Sequence, residues 1–468
     1  MRLLLVSDEL RSSDHPKLGL GYLASYLKKY LPEITISLAF DNDNLADKIN
    51  SFHPDIVGFS AMTPTFSRQI AKAKLVKNKF NLPLIIGGVH VSLVPTSLPT
   101  WFDIGIIGEG EETLRRVLIY YKENNKLQNP NINGLVYWNG GQLVKTGPPQ
   151  LVEPIDKIPF PDWNFLQIGP SGPGHIMTSR GCPYHCRFCE SGNFWKKYRA
   201  HSAEYIVDEI KTIYGLYHRK ELIIMDDLFF LNQTRLEQIL TLLEKEGLNK
   251  KMRFEVIGRV DLFNEKVVDI LKKMNVYAIS FGMESGSERV LKYLKKETIT
   301  LDQIRNAVNL AKKHNMQVLG TFMVGSPRET ISDIKKTIAF IKELDLDQVG
   351  INVTTPLPGT PLWDIAKEKG LVVGDRWDER LWGMRDVNKT TINNKLLLTD
   401  IPKNKFLLLL KEIFTLQDWT HRKRRNQQLY YKYIKQPNYV NFIRFIAHCV
   451  KRPKESLYNF RSGKFTIN

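Results

Sequence analysis

HIMTSRGCPYHCRFCES, residues 175–191, is the stretch that decides how this chain is read. Its opening, "HIMTSR", reads as a strand. The strand runs into Cys182, Cys186 and Cys189, a C-x3-C-x2-C run. The chain has 4 cysteines, so all but one fall in this run. Three thiolates at this spacing can hold three corners of a cubic 4Fe-4S cluster and leave the fourth iron without a protein ligand. An open metal position suits a reactive site, whereas structural sites close their coordination, as zinc sites show. A structural zinc would need a fourth ligand, for which the run offers His185. A disulfide would leave an odd cysteine. Cys449 lies in the apolar "NFIRFIAHCV" and reads as a small buried hydrophobe rather than a fourth ligand.

Downstream, strands alternate with helices. After "HIMTSR" come "ELIIMDD", "RFEVIGR", "YAISFGMES", "QVLGTFMVGSP" and "QVGINVTTP". Helical patterns such as "SAEYIVDEIKTIYGLY" and "EKVVDILKKM" separate them. Six parallel strands with outer helices predict a partial (β/α)6, TIM-like barrel, whose active site gathers at the C-terminal strand ends. Asp226 and Asp227 close the second strand. Two adjacent carboxylates there are costly unless paired or exposed to a ligand. Arg259 closes the third strand and offers a bidentate fork to a carboxylate. Glu284 and Ser285 close the fourth. "MVGSPRET" and "PLPGTPLW" follow the fifth and sixth. For each of these residues the bland alternative is a rim salt bridge or a helix cap. Lys296, in "LKYLKKETIT", reads as a surface residue.

Upstream, residues 1–125 show the same rhythm. "RLLLVS", "DIVGFSAM", "PLIIGGVH" and "DIGIIG" read as strands. "LGLGYLASYLKKYL", "TFSRQIAKAKLVKNKF" and "EETLRRVLIYYKEN" read as helices. This predicts an α/β, doubly wound parallel sheet with ligands at the carboxyl ends of its strands. Turns at those ends hold Ser60, Met62 and Thr63, then Gly87, Gly88 and His90, then Gly108, Glu109 and Gly110. Next come a hairpin turning at Asn139-Gly140 and the proline-rich linker "PPQLVEPIDKIPFPDW". The expected division is 1–140, a Rossmann-type domain; 141–172, a linker; 173–370, the barrel; and 371–468, a helical basic region.

C-x3-C-x-aromatic-C resembles the signature of radical S-adenosylmethionine enzymes. In that superfamily the open iron binds the amino and carboxylate groups of S-adenosylmethionine. An electron from the reduced cluster then cleaves a sulfur–carbon bond and yields a 5′-deoxyadenosyl radical. The resemblance implies cluster ligation by the three cysteines and a place beside the adenine for Phe188. It implies S-adenosylmethionine contacts around Asp226, Asp227, Arg259, Glu284 and Ser285, although a literal Gly-Gly-Glu is absent. "LGLGYLA", "GGVHVS" and "GEGEET" together are similar to the cobalamin-binding domain that precedes many such barrels. That likeness implies corrinoid contacts at Ser60, Met62, Thr63, Gly87, Gly88, His90, Gly108, Glu109 and Gly110. The histidine-ligating string D-x-H-x-x-G is missing: Asp14 abuts His15, and Ser51 precedes His53 by two. The cobalamin implied is therefore base-off and lacks a histidine ligand, with His90 a contact or turn residue. The resemblance further implies methyl transfer to an unactivated carbon. Its alternative is cyclisation or ring rearrangement of a lipid or tetrapyrrole. An external electron donor such as flavodoxin or ferredoxin is also implied.

Charge narrows the remaining classes. The net charge is +18, and residues 401–468 hold 15 Lys/Arg against 3 Asp/Glu. Such a tail suits an anionic membrane surface, nucleic acid or simply a solvated basic face. No apolar run approaches the ~20 residues of a membrane span, and the first residues do not make a signal peptide. A cytoplasmic enzyme, peripheral on the membrane at most, is expected. A tRNA methylthiolation enzyme would need three more cysteines upstream, and residues 1–150 contain none; nucleic acid is not expected as a partner. A corrinoid-binding sensor would have no use for the cysteine triad.

Overall fold

The computed structural model describes residues 1–8, 16–168, 172–296, 298–372 and 396–433, with side chains of the last helix to residue 422. Cys449 and most of the basic tail lie outside the described residues. The first sheet holds β1 (Arg2–Val6), β2 (Thr35–Ala39), β3 (Ile56–Ser60), β4 (Leu84–Gly87), β5 (Ile104–Ile106), β6 (Leu135–Asn139) and β7 (Gln142–Lys145). They stand in the order β2-β1-β3-β4-β5-β6-β7. The first five are parallel, and the β6–β7 hairpin extends the sheet antiparallel. Helices α1 (Leu18–Tyr30), α2 (Leu45–Phe52), α3 (Phe66–Phe80), α4 (Val89–Leu93) and α5 (Glu111–Asn124) make the connections.

Alternation along β1 explains the two-sided covering. Leu3 and Leu5 join one apolar cluster with Leu27 of α1 and Leu114 of α5. Leu4 and Val6 join the other with Phe66 and Val76 of α3. The strand order reverses between β1 and β3, which creates a switch point for ligands. The hairpin turns on Gly140 and Gly141, one residue later than expected, because both positions need positive φ (56° and 82°). β2 and α2 fall in a segment that the sequence pattern left unassigned. β2 is an edge strand with only Leu38 and Ala39 buried, so it lacks the apolar run of its neighbours.

The second half begins with β8 (Gly174–Ile176), β9 (Ser179–Arg180) and, after α6 (Ser191–Trp195), β10 (Arg199–Ala200). The barrel continues through α7 (Ala203–Tyr217), β11 (Glu221–Ile224), α8 (Gln233–Lys245), β12 (Arg253–Gly258), α9 (Glu265–Lys273) and β13 (Val276–Glu284). Then follow α10 (Glu288–Lys295), α11 (Leu301–Lys313), β14 (Gln317–Val324), α12 (Ile331–Leu344), β15 (Gln348–Val353), α13 (Pro361–Glu368) and α14 (Lys403–Tyr433). β8-β11-β12-β13-β14-β15 form one parallel sheet with β8 and β15 at its edges, an open barrel. All six expected strands are present. The first is divided: β8 stops at Ile176, and the Thr178 and Ser179 amides turn to the Asp226 carboxylate instead of a ladder.

α14 covers the β15 edge. Phe406, Leu409, Leu410 and Ile413 enter the barrel core. Thr420 Oγ1 accepts from the Val349 amide (3.0 Å) and Gln417 Oε1 from the Ile351 amide (2.7 Å). Two side chains on one helix face thus stand in for the carbonyls of a seventh strand and blunt an exposed edge.

Candidate active site

The cysteine run is a loop between β9 and α6. Cys182, Cys186 and Cys189 are free and half-buried. The Cys189 amide donates to the Cys186 carbonyl (3.2 Å) and the Arg187 amide to the Leu294 carbonyl (2.9 Å), which ties the loop to α10. Burial pushes the Cys189 thiol up to about 12 and also raises that of Cys182. Loading with metal must displace those protons. Among the described residues no group of three or more His, Cys, Asp or Glu stands where it could hold a single metal ion. A cluster asks for something else, since each thiolate binds a separate iron. Cations flank the loop. Arg259 Nη1 lies 3.9 Å from Cys186 Sγ, and its guanidinium stacks 3.5 Å over the Tyr184 ring. The Lys295 ammonium lies 5.4 Å over the Phe188 ring. Three thiols on one half-buried loop with donors beside them fit the cluster.

The strand ends carry the expected polar residues, in unequal roles. Arg259 is forked onto Asp261 (3.0 and 3.1 Å) and also donates to Thr298 Oγ1 (3.0 Å). Glu284 pairs with Lys295 at 2.9 Å, and both are buried. Burial works against the Lys295 ammonium, but the Glu284 carboxylate and the Cys186 sulfur together outweigh it and hold the group above its ordinary value. Glu284 sits at φ 60°, beside an irregularity in the β13–β14 pairing. Strained backbone of this kind gathers at functional sites. Gly282 makes room for the pair, since a Cβ there would stand 2.5 Å from Glu284 Oε1.

Asp227 faces the loop and accepts from Ser191 Oγ; the surrounding protein desolvates its carboxyl and raises it. Asp226 points the other way. It is fully buried and accepts from the Thr178 amide (2.6 Å), Thr178 Oγ1 (2.5 Å), the Ser179 amide (3.1 Å) and Ser179 Oγ (2.6 Å). Ser285 is turned to α12, with Thr337 Oγ1 at 3.2 Å. Lys295 escaped the sequence reading, which weighed its neighbour Lys296. The signal was present, because Lys295 follows the buried Leu291 by four residues on the apolar face of α10.

The first sheet holds a cavity of about 190 Å³ at its switch point. Leu5, Gly58, Phe59, Ser60 and Ile85 line its floor from β1, β3 and β4, and Gly108, Glu109 and Gly110 come from the turn after β5. A Cβ on Gly19, which also lines it, would meet nothing within 4 Å, so side chains are withheld from the space. At Gly88 (φ 110°) a Cβ would collide with the Ala61 carbonyl. A concave, mostly apolar, glycine-rimmed pocket at the carboxyl ends of parallel strands stands where this fold takes cofactors, and its volume would enclose one part of a large flat one. Of the expected corrinoid contacts, Ser60, Gly87, Gly88, Gly108, Glu109 and Gly110 line the cavity. Met62, Thr63 and His90 do not. His90 is fully buried, against the Phe66 ring (4.0 Å) and Thr63 Oγ1 (3.2 Å), and burial lowers its imidazole to about 3.

The cysteine loop and the cavity adjoin. Arg180, two residues before Cys182, lines the cavity, and so do Phe194 and Trp195 of α6, which follows Cys189. Residues 176–341 match the Radical SAM superfamily, and residues 9–118 match the B12 binding domain. The uncharacterized methyltransferase PH0819 of Pyrococcus horikoshii is 35% identical over 378 residues, covering 77% of this chain and 81% of that protein. The chain belongs to the cobalamin-dependent radical S-adenosylmethionine enzymes. Two further relatives are less similar. The cytidylyl-2-hydroxyethylphosphonate methyltransferase of Streptomyces wedmorensis is 24% identical over 76% of this chain and 78% of that one. The anaerobic magnesium-protoporphyrin IX monomethyl ester cyclase of Cereibacter sphaeroides is 26% identical over 76% of this chain and 61% of the cyclase. Among solved structures, the methyltransferase TsrM from Kitasatospora setae, with cobalamin and a [4Fe-4S] cluster bound, superposes with a TM-score of 0.66. Its identity is 18%, covering 78% of this chain and 75% of that one. OxsB, with aqua-cobalamin and S-adenosylmethionine bound, gives 0.68 at 18% identity, over 98% and 72%. These two share the fold of this radical S-adenosylmethionine enzyme.

Proposed function

We propose that this radical S-adenosylmethionine enzyme transfers a methyl group to an unactivated carbon. The observation that carries this reading is the shared wall: Arg180 and Trp195 bracket the cysteine loop and line the glycine-rimmed cavity. Cys182, Cys186 and Cys189 would hold the cluster, whose electron cleaves S-adenosylmethionine to a 5′-deoxyadenosyl radical. The cavity would hold the corrinoid, the methyl carrier of such reactions. The protein's own work is to bind, orient and exclude water. Arg259 and Lys295 supply donors beside the thiolates, and Phe188, half-buried next to Lys295, forms an apolar wall for an adenine. Asp227 and Glu284 offer carboxylates to an ammonium. We read the corrinoid as base-off and without a histidine ligand because the sequence lacks the D-x-H-x-x-G string.

Anaerobic protein reconstituted with iron and sulfide, then given S-adenosylmethionine, a reductant such as flavodoxin or ferredoxin, and methylcobalamin, should release 5′-deoxyadenosine. Candidate extracts should gain 14 mass units, about one CH2. Products that lose two hydrogens and gain no methyl would favour ring closure, the reaction named for the cyclase relatives. Failure to cleave S-adenosylmethionine would end both readings. A peripheral membrane contact is part of the proposal. Among the described residues no helix is long and apolar enough to cross a membrane. Leu408 and Trp419 are exposed on α14, ahead of the basic tail. Deleting 421–468, which removes the run Arg422–Arg425 with the rest of the tail, should abolish binding to anionic liposomes.

A further inference from the structure

Arg180 and Arg199 face each other across the β9–β10 ribbon. Like charges directly opposite on a ribbon repel, so this pairing needs a counter-charge from elsewhere. It comes from the first sheet. Arg180 donates to Glu109 Oε2 (2.6 Å) and Glu111 Oε1 (2.7 Å), and Arg199 pairs with the remaining oxygen of Glu109. All four side chains are nine-tenths buried or more. Aromatic faces complete the enclosure, with the Arg180 guanidinium 5.2 Å from the Tyr22 ring and 5.5 Å from the Trp195 ring. Glu109 and Glu111 belong to the turn and first helical residue that wall the cavity, and Tyr22, Arg180 and Trp195 line it too. On the other side only Gly181 separates Arg180 from Cys182. Gly181 is held at φ 88°, where a Cβ would stand 2.5 Å from the Lys197 carbonyl. The covalent path from the ion cluster to the first thiolate is therefore short and conformationally fixed.

We propose that Arg180, gripped by Glu109 and Glu111, is a positioning residue that sets the cavity of the first sheet against the cysteine loop. It thereby holds a bound corrinoid at one distance from the cluster. This rests on the reading of the cavity as a corrinoid site. A buried ion cluster suits the task, because an alternative register leaves buried charges uncompensated. Apolar packing alone tolerates sliding.

The experiment uses the full chain, reconstituted anaerobically and loaded with hydroxocobalamin. Absorbance titration gives the corrinoid dissociation constant. After reduction, pulsed electron paramagnetic resonance reads the spin–spin distance between cob(II)alamin and the reduced cluster. Wild type should give one narrow distance distribution. Arg180→Gln should broaden it and weaken corrinoid binding on the order of tenfold, and Arg180→Lys should restore part of both. Glu111→Gln removes one arm of the grip from the other sheet, and serves where Arg180→Gln yields no folded protein. Iron and sulfide content on the same samples shows that the cysteine loop is intact. If Arg180→Gln and Glu111→Gln both match wild type in distance and affinity, the proposal is overturned while the corrinoid reading stands. If wild type takes up no corrinoid, the cavity reading itself fails, and the proposal with it.

Discussion

Asp226→Asn should unfold the barrel more easily while leaving affinity for S-adenosylmethionine nearly intact. Asp226 is fully buried, and its two oxygens accept four hydrogen bonds from Thr178 and Ser179. Arg235 closes the arrangement by donating to the Thr178 carbonyl and to Thr178 Oγ1, both at 2.6 Å. Asparagine keeps one acceptor for the two amides. Its NH2 then faces two hydroxyls; Ser179 can rotate to accept, but the Thr178 hydroxyl, although it keeps a lone pair, loses the acceptor for its own proton. Hydrogen bonds to a charged group contribute ~1.5–3 kcal/mol, against ~0.5–1.5 for neutral ones. Weakening two and frustrating one costs about 3–5 kcal/mol. The lighter desolvation of an amide offsets part, because burial disfavours the Asp226 carboxylate in the first place. A net loss of about 2–3 kcal/mol lowers the barrel's melting temperature by roughly 4–12 °C. Anaerobic calorimetry reads the melting, and titration calorimetry on reconstituted protein reads the affinity. An unchanged transition together with a tenfold or greater loss of affinity would refute the reasoning and make Asp226 a ligand contact.

Other perturbations test separate parts of the fold. Gln417→Leu with Thr420→Val strips the β15 edge of two partners and leaves two amides unsatisfied; at ~1–3 kcal/mol each, denaturant unfolding should register ~2–5 kcal/mol and light scattering more aggregation. His90 is held near 3, below its ordinary 6.5, so its contribution is complete above about pH 6.5 and lost as pH falls toward 3. At ~1.4 kcal/mol per unit that is up to about 4–5 kcal/mol, and His90→Gln should flatten this part of the stability–pH curve. Lys295→Met leaves Glu284 buried without its partner and should cost ~3–5 kcal/mol, while adding Glu284→Gln should recover much of it in a double-mutant cycle.

The parallel strands were legible because their signal is local. Strands buried on both faces are apolar throughout, as Leu3 to Val6 show, and their ends are marked by polar residues. β2 escaped because an edge strand buries half as much. That the three thiols share one loop was legible from their spacing, since neighbours in sequence need no tertiary information to stand together. Arg180 was not, because its partners Glu109 and Glu111 lie far away in sequence and no local pattern announces them. Lys295 carried one local signal, its place on the apolar face of α10, but nothing in that pattern names Glu284 as its partner. Asp226 shows the converse: a strand-end carboxylate suggests a ligand contact, but only the folded chain shows its oxygens already taken.

Three cations beside the cysteine loop carry carboxylates of their own, whereas Asp227, which accepts from Ser191, belongs to no ion pair among the described residues. Lys295 has Glu284, Arg259 has Asp261, and Arg180 has Glu109 and Glu111, even though the whole chain carries +18. A purely anionic ligand would have to draw a buried cation from its carboxylate and leave that carboxylate uncompensated, at a cost of several kcal/mol. A purely cationic ligand meets the mirror problem. A ligand that brings a cationic and an anionic group together would exchange with both members of a pair such as Glu284 and Lys295 and leave the buried charge unchanged. Displacing one member of such a pair would therefore cost a phosphate or a simple carboxylate more than it costs a zwitterion. Of the net +18, residues 401–468 hold +12, 15 Lys/Arg against 3 Asp/Glu, which suits an anionic surface.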